Sequence, residues 1–444
     1  MRPPRILLAI AGTLALLAGK VVAAHSVNLL DVWQLALERD PTFAAAKANR
    51  NAIQEKVPQA RSLLLPFLTA STGAEIDNSR TTRLDESRSS RRGVWAVTLT
   101  QPIVDIGQWN KLQQSQFLAQ SADLSVQQAW QELMLRVAQA YFDVLAAQDA
   151  LKTLDAQKKA ITNQLEAARK GFELGSATIA DTYEAQARLD LINANEIQAR
   201  NALDISLDQL QRIISERPTD LAGLVTHVTL PPPEPSLVTD WANQARSASL
   251  EVARATLDTK AAEKEISIAK SAHYPTLDFY AQSGSASDRG VYGPRAGSRS
   301  VDSTVGVQLS IPLFSGGGIS SKVREQTSLL QRARYELEAT RRLSAQLAQQ
   351  YFSGVVSGLA QVNALAAAEK SSEASLQANQ TGYEVGVRVN IDVLNAQQQL
   401  YETRRALAVA RYTTVLNGLR LKAVAGTLTE ADLRAINQLL DTNP

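Results

Sequence analysis

Cysteine is absent from all 444 residues, and methionine and histidine occur only two and three times. The first absence removes disulfides, thiol catalysis, thiolate metal sites and an N-terminal lipid anchor. The histidines, His25, His227 and His273, lie far apart in the chain and form no metal or acid/base cluster. Aromatic residues make up 5%, and 46 basic residues nearly balance 44 acidic ones, for a formal charge of +2. That balance is no basic footprint, so no nucleic-acid partner is expected. Beyond the N-terminus no apolar run reaches the length of a spanning helix.

Residues 1–24 read as a secretory signal. Arg2 and Arg5 precede an apolar core from Ile6 to Gly19, and Val22-Ala23-Ala24 offers a small-residue cleavage site, with Lys20 placed late for such a peptide. The core is 14 residues, short of the roughly 20 that span a bilayer. Cleavage would leave 420 residues with a formal charge of −1, because Arg2, Arg5 and Lys20 are lost. An exported chain without a spanning helix is either soluble in the periplasm or crosses an outer membrane as strands.

The remaining chain repeats itself. Pro66 is answered by Pro275, Leu99-Thr100-Gln101-Pro102 by Leu309-Ser310-Ile311-Pro312, and Tyr141-Phe142 by Tyr351-Phe352. Gly175 and Asp181 are answered by Gly386 and Asp392. The offset is 209, 210 and then 211 residues, which marks an internal duplication. The first unit is expected over 25–230, with a helix, a strand pair in 67–104 and a helical hairpin in 107–214. The second, over 231–444, carries a helix, a strand pair in 276–314, a hairpin in 318–424 and a short terminal helix. Pro231-Pro232-Pro233 and Pro235 lie between them.

Within each unit the periods change. Residues 29–64 and 237–271 each read as one helix. Trp95, Val97 and Leu99 alternate with Ala96, Thr98 and Thr100, and Val305, Val307, Leu309, Ile311 and Leu313 alternate with Gly306, Gln308, Ser310 and Pro312, as in strands with unlike faces. The polar stretches 77–92 and 284–300 read as loops. The proline-free run 107–172 carries Trp130, Val137, Val144 and Leu151 seven apart, with Met134 and Tyr141 between, as in a coiled-coil seam. Leu343, Leu347 and Tyr351 are expected to repeat it. Trp33, Trp109, Trp130 and Trp241 read as helix-packing residues; Tyr280 and Tyr292 suit interfacial aromatics or ordinary strand positions. Gly316-Gly317-Gly318 lacks the Lys-Ser/Thr pair of a phosphate loop and suits a strand-to-helix junction. Four half-apolar strands cannot close a barrel and would leave edges exposed. Closure by several subunits puts Trp95, Val97, Leu99, Val305, Val307, Leu309 and Ile311 against lipid. A soluble sandwich also satisfies this pattern.

The ordered pieces resemble the TolC family of outer-membrane channel proteins. They are Asp40-Pro41, Ala60-Arg61 to Pro66, Leu99 to Pro102, Tyr141-Phe142, Gly171-Phe172 to Asp181, Pro275, Leu309 to Pro312, Gly382 to Gly386, Ile391 to Leu394 and Ala425 to Leu428. The resemblance implies an internally duplicated α+β membrane protein. Each chain would give four strands to a trimeric 12-stranded outer-membrane β-barrel, continued through the periplasm by a long α-helical coiled-coil barrel. It implies no enzyme and no cofactor. The implied partners are two further copies in a homotrimer, outer-membrane lipid, a periplasmic adaptor (membrane fusion) protein, and an inner-membrane ABC transporter or other pump. The absence of a lipid-anchor cysteine points toward type I secretion members, with an unfolded protein such as an RTX-type toxin as cargo. A multidrug efflux channel is the alternative, and a periplasmic coiled-coil adaptor is the alternative of another class.

The resemblance also assigns residues. The adaptor would contact the hairpin tips around Gly175 and Gly386. Asp181, Tyr383 and Arg388 match the family's gate latch, although Ala180 stands where the family has a hydroxyl. Asp392 and Asn395 match the two rings of the pore constriction, the second without charge. Without the resemblance, Asp392 reads as a carboxylate that favours a helix N-terminus.

Overall fold

The computed structural model describes residues 26–81, 86–218, 220–225, 230–288 and 299–441. The signal segment, His25, His227 and Tyr292 lie outside the described residues. Each half of the chain runs from short helices to two strands and then to a long helical hairpin. The first half contains α1 (Leu29–Arg39), α2 (Pro41–Gln54), α3 (Lys56–Ser62), β1 (Phe67–Thr81), β2 (Glu86–Val104), α4 (Ile106–Glu173) and α5 (Ile179–Ile214). The second contains α6 (Val238–Ala248), α7 (Leu250–Ser271), β3 (Thr276–Asp288), β4 (Arg299–Ser310), α8 (Gly318–Glu384), α9 (Asn390–Val424) and α10 (Glu430–Asn437).

The expected single helix over 29–64 is three. Asp40 ends α1 and caps α2, its carboxylate accepting from the Phe43 N–H at 2.7 Å, while Pro41 opens α2. A residue before proline is driven out of the helical region, and proline suits the first helical position. Asp40 is buried, and the Arg136 guanidinium of α4 approaches both its oxygens at 3.2 and 3.3 Å. The helix expected over 237–271 is likewise split, at Ser249, which caps α7 and meets Ser344 of α8 at 3.3 Å.

The four strands form one antiparallel sheet in the order β1-β2-β3-β4, so β1 and β4 are open edges. Directly paired residues share a face. One row runs Leu68↔Leu99↔Ala281↔Val305, and Leu277↔Leu309, Phe279↔Val307 and Ala70↔Val97 extend it. Trp95 belongs to the same face, and Ile311 lies just past the end of β4. On the opposite face stand Thr98, Gln282 and Thr304. Tyr280 also points to this polar face, where its ring lies across Gly306 with no room for a Cβ. The strands outrun the expectation: β1 reaches Thr81, β2 starts at Glu86, β3 reaches Asp288 and β4 starts at Arg299. Ladder pairing overrides the loop-like Ser/Arg composition there, because strand preference depends on context.

Helices α4 and α8 have 68 and 67 residues, rods of roughly 100 Å at about 1.5 Å per residue. Each folds back on its partner, α5 or α9, and α7 lies between α4 and α8. No helix among the described residues is long and apolar enough to cross a membrane. The main core sits midway along the rods. Leu133, Met134, Val137, Tyr141, Phe142 and Val144 are buried there against α1, α5, α9 and α10. Trp33 meets Trp130 edge-on at 5.5 Å, and the Tyr141 hydroxyl donates to the Ala222 carbonyl at 2.7 Å. Trp109 departs from the packing expectation, being exposed at the start of α4. The second seam holds at Tyr351, which packs against the cluster of Trp241, Ala245 and Ala348, but not at Leu343, which is exposed; the buried stripe of α8 passes through Leu337, Ser344, Ala348 and Val355. Ser344 and Ala348 are small where α8 packs against Ser249 and against Trp241 and Ala245 of α6.

Candidate functional site: the hairpin tips

Both tips turn on the same backbone. At the first, the Gly171 carbonyl accepts from the N–H groups of Ser176 (2.7 Å) and Ala177 (3.1 Å). At the second, the Gly382 carbonyl accepts from Val387 (2.8 Å) and Arg388 (3.0 Å). Gly175 and Gly386 each have φ +76°, the left-handed conformation that ends a helix and that glycine adopts without penalty. Large apolar side chains crowd the turns in full exposure: Leu174 at 83% and Val387 at 78%.

The side chains differ. Thr178 caps α5, and Asp181 closes a capping box by accepting from the Thr178 N–H at 2.8 Å and hydroxyl at 2.7 Å. The equivalent cap of α9 is Val389, which has no side-chain acceptor. Asp392 instead lies 3.6 Å from the Arg388 guanidinium of its own hairpin. Tyr383 is half-buried. Burial raises its phenol pKa, and the negative charge of Asp181 raises it further, so it remains a proton donor at neutral pH. Thus the structure brings Tyr383 near Asp181, and it puts Arg388 beside Asp392.

Two residues on this site carried no sequence signal. Asn390 is fully buried at the start of α9. Its amide oxygen accepts from Gln164 of α4, and its Nδ2 donates to the Asp181 carbonyl at 3.3 Å. Arg188 of α5 reaches α9, donating through Nη2 to Asn395 Oδ1 at 2.9 Å and through Nη1 to Gln398. Both contacts join residues more than 200 positions apart, which no local period reports.

A family model described as "Outer membrane efflux protein" matches residues 32–216 and again residues 241–427. The chain belongs to the outer membrane efflux protein family. The outer membrane protein TolC of Escherichia coli K12 is 34% identical over 442 residues, covering 96% of this chain and 89% of that protein. The alkaline protease secretion protein AprF of Pseudomonas aeruginosa is 32% identical over 424 residues, covering 93% and 87%. The solved Campylobacter jejuni CmeC outer membrane channel has a TM-score of 0.79 at 15% identity, covering 99% of this chain and 98% of that one. Membership in this TolC-type channel family displaces the adaptor alternative. It makes the chain an outer-membrane transport protein whose helical hairpins stand in the periplasm.

Proposed function

We propose that three copies of this chain close one twelve-stranded barrel and one helical tube, forming the passive exit duct of a type I secretion system for an unfolded protein. The observation that carries the reading is the sheet: four strands, two open edges, one apolar exposed face and one polar face. Unpaired edge groups cannot be left in hydrocarbon, so a spanning sheet has to close. The strands, of 12 to 19 residues, exceed the roughly 9–11 that cross a bilayer. Trp95, Val97, Leu99, Val305, Val307 and Leu309 then meet lipid, with Ile311 at the margin, and Thr98, Gln282, Tyr280 and Thr304 line water.

The exposed Leu174, Val385 and Val387 around Gly175 and Gly386 supply an apolar surface for a periplasmic adaptor, which would couple the duct to an inner-membrane ABC transporter. Asp181, Tyr383 and Arg388 act as the gate latch, and Asp392 and Asn395 form the constriction. Protein cargo is favoured because a relative at 32% identity, AprF, is named for protease secretion. An efflux role is the second reading, favoured by the family's own description. The chain itself performs no chemistry in either case.

The test is recording in planar bilayers with detergent-purified protein, paired with a deletion strain. The reading expects discrete conductance steps and loss of a secreted protein from the medium. An insulating preparation contradicts the channel. A strain that becomes drug-sensitive with an unchanged secretome contradicts the protein cargo.

A further inference from the structure

Arg188 lies two helical turns beyond Asp181 on α5, away from the turn itself. Its two terminal nitrogens go to two amide oxygens on α9, those of Asn395 and Gln398. These acceptors are three residues apart, so they stack on one face of the helix, where a planar guanidinium fork can engage both. Gln398 is itself braced, donating through Nε2 to Glu402 at 2.8 Å. The contact therefore ties the first hairpin to the second, just above the level of Asp392. Asn395 is one turn, about 4.5 Å of rise, from that carboxylate.

Neither acceptor carries a charge, so the guanidinium's own partners do not neutralise it. Asp392, meanwhile, is already shared with Arg388. The duplication shows how particular the arrangement is. The position equivalent to Arg188 in the second unit is Gln399, and those equivalent to Asn395 and Gln398 in the first are Glu184 and Ala187. The clamp runs one way only, from α5 to α9.

We propose that Arg188 is a positioning residue of the gate: it holds the two hairpins of a protomer together through Asn395 and Gln398, and it sets a positive charge beside the Asp392 ring. This rests on the channel reading above. Two consequences follow. Opening has to break the fork, and the constriction is less cation-preferring than Asp392 alone would make it, because rings of fixed charge select the opposite ion.

The experiment records single channels of the purified oligomer across a KCl gradient, for the parent, Arg188→Gln, Arg188→Lys and Asn395→Asp. Loss of two charge-assisted links should raise the conductance of Arg188→Gln roughly two-fold or more and move its reversal potential toward cations. Arg188→Lys keeps the charge, but its ammonium is a compact donor without the planar fork. Its conductance should rise while its reversal potential stays near the parent's. Asn395→Asp gives the fork a charged partner, and conductance should fall. This opposite sign separates a clamp from general loosening of the fold. A conducting parent with Arg188→Gln unchanged in conductance or in reversal potential overturns the proposal alone. An insulating parent overturns the channel reading and the proposal with it.

Discussion

The two hairpin tips share one backbone and differ in how their ends are satisfied. Gly175 and Gly386 turn identically, and Gly171 and Gly382 each accept the same pair of N–H bonds. Yet α5 closes its own N-terminus through Thr178 and Asp181, while α9 begins at Val389 without a side-chain cap and relies on Asn390 reaching the first hairpin. The helix breaks diverge as well, in chemistry. The charged Asp40–Arg136 contact of the first unit is replaced by Ser249 and Ser344 in the second. The backbone turn persisted through duplication because only glycine adopts it freely, whereas the side chains separated into a self-contained tip and a dependent one.

The strongest break in this comparison is Asn390→Ala. It removes the acceptor of the part-buried Gln164 amide and the cross-hairpin bond to the Asp181 carbonyl, a cost of about 1–3 kcal/mol. Amide exchange at the start of α9 should accelerate while the start of α5 stays protected; equal acceleration at both would show that the tips are not independent. Thr178→Val makes the first tip resemble the second. It should cost about 1 kcal/mol of local stability, read as faster exchange at the first amides of α5, and unchanged exchange there would contradict the capping role. The converse, Val389→Thr, offers Asp392 a capping box and draws it from Arg388, so the α9 N-terminus should gain about 1 kcal/mol. Asp392→Ala should reduce cation preference, measured as reversal potential, and an unmoved potential would remove this carboxylate from the constriction.

The smallest effect is that of pH. Glu196 of α5 accepts from Lys158 at 2.7 Å and pairs with Arg200, and these partners lower its pKa. A carboxylate with a depressed folded pKa stabilises above its unfolded value and loses that contribution as pH falls through the folded one. Thermal midpoints of the parent and Glu196→Gln should therefore differ slightly at neutral pH and converge below the ordinary glutamate range.

Much of this architecture was legible in the sequence because it rests on repetition and short periods. The offset of Asp181 and Asp392 belongs to the repeat, and the alternation from Val305 to Leu309 and the spacing of Val137, Tyr141 and Val144 are local patterns. Misreadings arose where context overrides composition. Ser- and Arg-rich residues past Gly73 pair in a ladder, Asp40-Pro41 divides a pattern that reads as continuous, and the α8 seam selects Ser344 and Ala348 over Leu343. At the tips, glycine and aspartate could be read from the chain, but their partners could not. Three positions before each aspartate stands a different residue: Thr178 closes a capping box with Asp181, whereas Val389 has no hydroxyl to offer Asp392, which pairs with Arg388. Arg188 and Asn390 find their partners across the duplication, where no spacing rule applies.

The central claim is that a four-stranded sheet with two open edges is completed only by other copies of itself. Native mass measurement of the protein extracted from outer membranes in mild detergent addresses this directly. The account predicts a single species of three chains that separates only on heating or strong denaturation. A stable one-chain species that remains soluble once the detergent is withdrawn would contradict it.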